Sequence, residues 1–239
     1  MKKILFTIIF SLFAANLMAQ GNNSIIVGFG GANNKVQISE RSQVPTVGTF
    51  SPFVAEPDFN ANSNVNLAYL KQTDYLNGNL SLGADFTMFF SKGRNIKEDQ
   101  PSGTSTFALR DTSTFYSSTF MFLADYGFLY ISKLTLSAQL GAGFILNTLN
   151  INRTTTFYNN NGDITDSVKV SGNGTSGGIA GKAGLVATYN MFDRLAFGAG
   201  AYYMYTGNTE KNNLGGTATD YRFRNNGTMI YNINVIWRF

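Results

Sequence analysis

Asn226-Gly-Thr-Met-Ile-Tyr-Asn-Ile-Asn-Val-Ile-Trp-Arg-Phe239 decides the fold. Counting back by twos gives Phe239, Trp237, Val235, Ile233, Tyr231 and Met229, all large and apolar. The other parity gives Arg238, Ile236, Asn234, Asn232 and Ile230, mixed and mostly polar. In a strand successive side chains point to opposite faces, so this period of two means a β-strand with one greasy face and one wetter face.

The same alternation recurs upstream and lays down eight strands. They run approximately over 24–32, 64–72, 80–90, 113–128, 134–146, 179–189, 195–205 and 226–239. The fifth is the most regular, with Leu134, Leu136, Ala138, Leu140, Ala142, Phe144 and Leu146 set against Thr135, Ser137, Gln139, Gly141, Gly143 and Ile145. The first two are the shortest. Short connections follow the second, fourth and sixth strands, at Thr73–Asn79 with its Asn77-Gly78 reversal signal, at Ser132-Lys133 and at Asn190–Arg194. Long polar connections follow the first, third, fifth and seventh, near Lys35–Asn62, Lys92–Asp111, Asn150–Thr175 and Gly207–Arg224. The first of these holds Pro45, Pro52 and Pro57, which argues against a central strand there.

Composition agrees. Charged residues are 13% of the 239, against ~25% in an ordinary soluble domain, while aromatics reach 14% and Gly numbers 25. Mean hydropathy of −0.06 suits strands of which only every second residue meets lipid. The formal charge of +4 includes Lys2 and Lys3, and the remainder is too weakly basic to argue for nucleic acid. At the N-terminus, Lys2 and Lys3, the apolar run Ile4 to Ala15 and the small Ala19 before Gln20 predict a cleaved secretory signal over 1–19, leaving 20–239 as one barrel domain. The apolar run is shorter than the ~20 residues a spanning helix needs. The chain has no Cys, which excludes disulfides and lipoprotein anchoring.

Period alone does not say which face is out. A soluble secreted lipocalin-like barrel would turn the apolar face inward. Three features favour lipid: a second face of Gly, Ser, Thr, Asn and Gln, the terminal aromatic strand, and aromatics near strand ends. Phe128, Tyr130, Tyr189, Phe192, Trp237 and Phe239 belong to the turn end, and Phe90, Phe115, Tyr116, Tyr203 and Tyr205 to the loop end.

On these residues the chain resembles the eight-stranded outer-membrane β-barrel family, similar to the transmembrane domain of outer membrane protein A and its small porin-like relatives, over 24–239. The resemblance implies an all-β, antiparallel up-and-down transmembrane barrel with short periplasmic turns and long external loops, in the outer membrane of a Gram-negative bacterium. It implies that Tyr231, Ile233, Val235, Trp237 and Phe239 form an insertion signal read by the barrel-insertion machinery. Outer-membrane lipid, lipopolysaccharide and an unidentified extracellular partner are the other expected contacts. No peptidoglycan-binding domain is expected after Phe239.

Barrel enzymes of this class rely on an active-site His, and this chain has none, so no catalysis is expected. No cofactor is expected, and without His or Cys the usual zinc sites lack ligands. Gly172-Asn-Gly-Thr-Ser-Gly-Gly178 lacks the Lys-Ser/Thr of a phosphate loop and reads as a flexible loop. Asp163 and Asp166 offer oxygens for weak Ca²⁺ binding, although a solvated turn explains them as well.

The candidate site is the polar cluster of the inward face: Asp85, Asp125, Gln139, Lys182 and Arg238. Inward is economical, since a Lys or Arg on the lipid face costs ~2–4 kcal/mol at midplane. Two readings follow. Either the two acids pair with Lys182 or Arg238 and plug a filled lumen, or the pair gates a pore for small solutes or apolar compounds. Inward Gly83, Gly141, Gly143, Gly184, Gly198 and Gly200 either leave lumen volume or make room for Tyr202 and Phe89. The first reading makes the protein a scaffold with interacting surface loops, the second a transport channel.

Overall fold

A computed structural model describes residues 23–42, 58–91, 96–102, 105–112, 114–159, 161–207, 209–211, 219–225 and 227–239. The signal segment 1–19 and the three prolines of the first long connection lie outside them. The strands are β1 (Asn23–Ser42), β2 (Asp58–Gln72), β3 (Leu80–Ser91), β4 (Ile96–Ser102), β5 (Ser105–Asp111), β6 (Thr114–Ile131), β7 (Leu134–Tyr158), β8 (Ile164–Asn190), β9 (Leu195–Thr206), β10 (Thr209–Lys211), β11 (Thr219–Asn225) and β12 (Thr228–Arg238).

Eight of them close a ring in the order β1-β12-β9-β8-β7-β6-β3-β2, every pair antiparallel, with β2 returning to β1. Closure reaches the chain's last residue: Asn23 N–H donates to Phe239 O at 3.1 Å and Phe239 N–H to Asn23 O at 3.0 Å. A closed ring leaves no sheet edge unpaired, which is what a membrane demands of strands.

The alternation read from sequence is the alternation of the wall. Along β12 and β9 exposure switches at every residue. Phe29, Phe122, Leu140, Phe144, Leu185 and Ile233 stand outside and exposed. A contiguous apolar exterior of this kind is untenable in water, and it rules out the soluble lipocalin-like arrangement. One belt residue is corrected: Phe115 is only 1% exposed and points inward, because its neighbour Tyr116 takes the outward position and parity leaves no alternative.

The three short turns fall where expected. Tyr75–Gly78 forms a 3₁₀ turn, with Leu76, Asn77 and Gly78 at positive φ. Gly78 alone takes that conformation without steric penalty. Ser132 (φ 52°) closes β6 to β7.

The long connections are the main departure. All four were read as polar loops, yet strand structure continues through much of them. β7 and β8 stay paired to Tyr158↔Ile164, so 150–158, 164–175 and the glycine-rich 172–178 lie within strands. β1 extends to Ser42, longer than the short first strand expected, and β2 begins at Asp58. Beyond the ring, β11 takes over from β12 beside β1, and β5 takes over from β6 beside β7. β4 and β10 pair on as further strands. The hand-over from β6 to β5 is pinned by Thr112, whose N–H donates to Asn152 O at 2.9 Å and whose Oγ1 accepts from Asn152 Nδ2 at 3.0 Å. The barrel thus rises into a strand wall at its loop end.

Candidate functional site

Alternation sends Asp85 (β3), Asp125 (β6), Gln139 (β7), Lys182 (β8) and Arg238 (β12) inward, as expected, but they form three groups. Asp85 and Lys182 form the central one. Nζ lies 3.1 Å from Asp85 Oδ2, with the side chains 7% and 1% exposed. Asp85 also accepts Thr87 Oγ1 at 2.8 Å and Asn66 Nδ2 at 3.2 Å. Asn66 Oδ1 in turn accepts Asn232 Nδ2 at 3.3 Å. Four strands, β12, β2, β3 and β8, are tied across the lumen through one carboxylate. Lys182 Nζ also sits 5.0 Å from the centre of the Tyr202 ring, a distance at which a cation is attracted to the π face.

Sequence reasoning passed over Tyr202 as a site residue and noted it only as a bulky neighbour of inward glycines. Its ring lies over Gly184 and Gly200, where a Cβ would come within 2.6 Å of ring carbons at either position. These two glycines accommodate an aromatic lid rather than open a channel.

Asp125 does not join Lys182. It accepts Ser137 Oγ at 3.0 Å and Gln139 Nε2 at 3.3 Å, both at Oδ1. Arg238 stands near the turn end and donates from Nη1 to Asn190 Oδ1 at 2.6 Å. Of the cross-lumen pairings considered, Asp85 with Lys182 alone is formed among the described residues.

Two regions flank the central clasp. Toward the loop end the lumen is filled by a mixed layer, with Phe89, Ile145, Met204 and Ile230 set among Asn64, Thr119, Thr206 and Thr228, all buried. The spacing in β3, β7, β9 and β12 carried that signal, but an apolar residue on the wetter parity is easily read as noise. Toward the turn end there is a cavity of ≈ 650 Å³ that ends against Tyr202, Asn66 and Gln139. Asp163 and Asp166 are engaged locally: Asn159 Nδ2 donates to Asp163 Oδ2 and Ser167 N–H to Asp166 Oδ1. No group of three or more His, Cys, Asp or Glu able to hold a metal occurs among the described residues.

Comparison with family models finds no match, and comparison with curated proteins finds none either. Solved structures do resemble the chain. Neisserial surface protein A is 14% identical with a TM-score of 0.42, over 91% of this chain and 97% of its own. Ail, the attachment invasion locus protein of Yersinia pestis, is 13% identical with a TM-score of 0.40, over 92% and 100%. A major outer membrane protein from Thermus thermophilus is 10% identical with a TM-score of 0.49, over 91% and 99%. At such identities the likeness extends to architecture only. The chain's own ring, apolar outside and clasped within, makes it an eight-stranded transmembrane β-barrel.

Proposed function

We propose that the protein is an outer-membrane scaffold, exported by its N-terminal signal, that holds a strand wall outward for contact with an extracellular partner. One contrast carries this reading. The lumen is closed across its middle by Asp85, Lys182 and Tyr202, while paired strands continue past the membrane ring. An eight-stranded barrel is just wide enough to be filled by its own side chains, so a plugged interior is the economical state. The short turns face the periplasm and the wall faces out, bringing lipid and lipopolysaccharide against the apolar exterior. The strand ending in Tyr231, Ile233, Val235, Trp237 and Phe239 engages the insertion machinery. Catalysis forms no part of the proposal, since the chain has no His to act as a general base.

The test compares cells carrying the full chain with cells whose 151–172 hairpin is replaced by a two-residue turn. Adhesion or serum resistance conferred by the full chain should vanish with the wall, at unchanged barrel levels in the outer membrane. A wall-less barrel that kept the phenotype would sink the idea. The turn-end cavity favours a second reading, a small-solute channel, and conductance in planar bilayers separates the two. Discrete openings that change in Lys182→Ala would put transport first.

A further inference from the structure

The two inward acids of this lumen are treated differently. Asp85 is neutralised by Lys182. Asp125 receives only the neutral donors Ser137 and Gln139, both at Oδ1, and Oδ2 accepts nothing from the described residues. Asp125 is half-buried and has no cation against it, so an incoming cation gains a charge-assisted contact there. Asp125 lines the ≈ 650 Å³ cavity, whose apolar walls include Ile26, Leu70, Val186 and Ile236. Opposite charge gathers at the mouth, where Arg194 and Arg238 line the same space beside Asp193. The Arg238 guanidinium bonds only the neutral Asn190 among the described residues.

We propose that this cavity binds a small linear zwitterion, its ammonium group against Asp125 and its carboxylate toward Arg194 and Arg238. Asp125 forms no ion pair with Arg194 or Arg238 among the described residues, and Ile26, Leu70, Val186 and Ile236 line the same cavity. Separate acid and cations with apolar wall around them suit an ω-amino acid with an apolar middle better than a compact α-amino acid. The site is entered from the turn end and does not depend on the surface role proposed above.

The full mature chain, refolded in lipid nanodiscs, is titrated with 6-aminohexanoate and, separately, with hexanoate, while backbone amide resonances are followed by NMR. Saturable shifts at Gln139, Thr188 and Tyr202 with the zwitterion, and weaker or no shifts with hexanoate, are expected. Asp125→Asn should weaken binding at least tenfold, the loss of one charge-assisted contact, or about 1.4 kcal/mol. Val186→Phe, which fills the cavity and leaves Asp125 in place, should abolish binding, and it decides the matter if the Asn variant does not fold. Equal binding of hexanoate, undiminished binding in either folded variant, or no saturable shift in the parent chain would overturn the proposal.

Discussion

At the residue scale the central question is what a charge pair does inside a barrel. Asp85 and Lys182 are nearly inaccessible, so each is tolerable only because of the other. Lys182→Met leaves a buried carboxylate with two neutral donors, and a loss of ~3–5 kcal/mol is expected. Asp85→Asn combined with Lys182→Met removes both charges and should cost less than the single Lys182→Met change. Urea unfolding in lipid vesicles measures both, and a double variant less stable than the single would show that the charges are not coupled. Asn64 poses the opposite case. It is buried opposite Phe89, and neither atom of its amide has a partner among the described residues. Replacing an unsatisfied amide by an apolar group of similar shape removes a desolvation cost of ~1–3 kcal/mol. Asn64→Leu is therefore expected to raise the urea midpoint, and a fall would show that the amide is bonded in solution.

At the element scale, alternation is legible only where the two faces of a strand meet different surroundings. β3, β6, β7, β8, β9 and β12 were readable through the ring because lipid lies on one side and a filled lumen on the other. The turns were readable from Asn77-Gly78 and from Ser132-Lys133. The wall was not. In Thr154-Thr-Thr156 or Ser171-Gly-Asn-Gly174 both faces are polar, so the period-two signal vanishes although the backbone is still paired. β-branched Thr and Val suited strand, yet Gly and Asn outweighed them as loop signals. The inward site was half legible: parity placed all five residues inside, but which partners meet depends on cross-lumen geometry that no single strand encodes. A prediction belongs to this scale. The ring's pairings end near Leu149↔Gly174 and do not need the hairpin above. Joining Asn150 to its register partner Asn173 through Asn-Gly should leave a folded barrel, seen as an unchanged heat-dependent shift in gel mobility. Loss of that shift would mean that β7 and β8 close the ring only with the wall's help.

At the scale of the whole molecule the lumen is obstructed twice, by different physics. The clasp of Asp85, Lys182 and Tyr202 is polar and directional. The layer beyond it, with Phe89, Ile145, Met204 and Ile230 among Asn64, Thr119, Thr206 and Thr228, obstructs by buried bulk. The turn-end cavity stops at the first obstruction and never meets the second. Removing the clasp alone should therefore not produce a conductor. The refolded parent chain should be silent in planar bilayers, and so should Asp85→Ala with Lys182→Ala, provided that it still inserts. Adding Phe89→Gly and Met204→Gly removes apolar bulk beyond the clasp, and with both obstructions breached discrete openings should appear. Openings in the clasp variant by itself would contradict this order, because the packed layer would then be permeable to ions and Asp85 with Lys182 would be the gate of a transport protein.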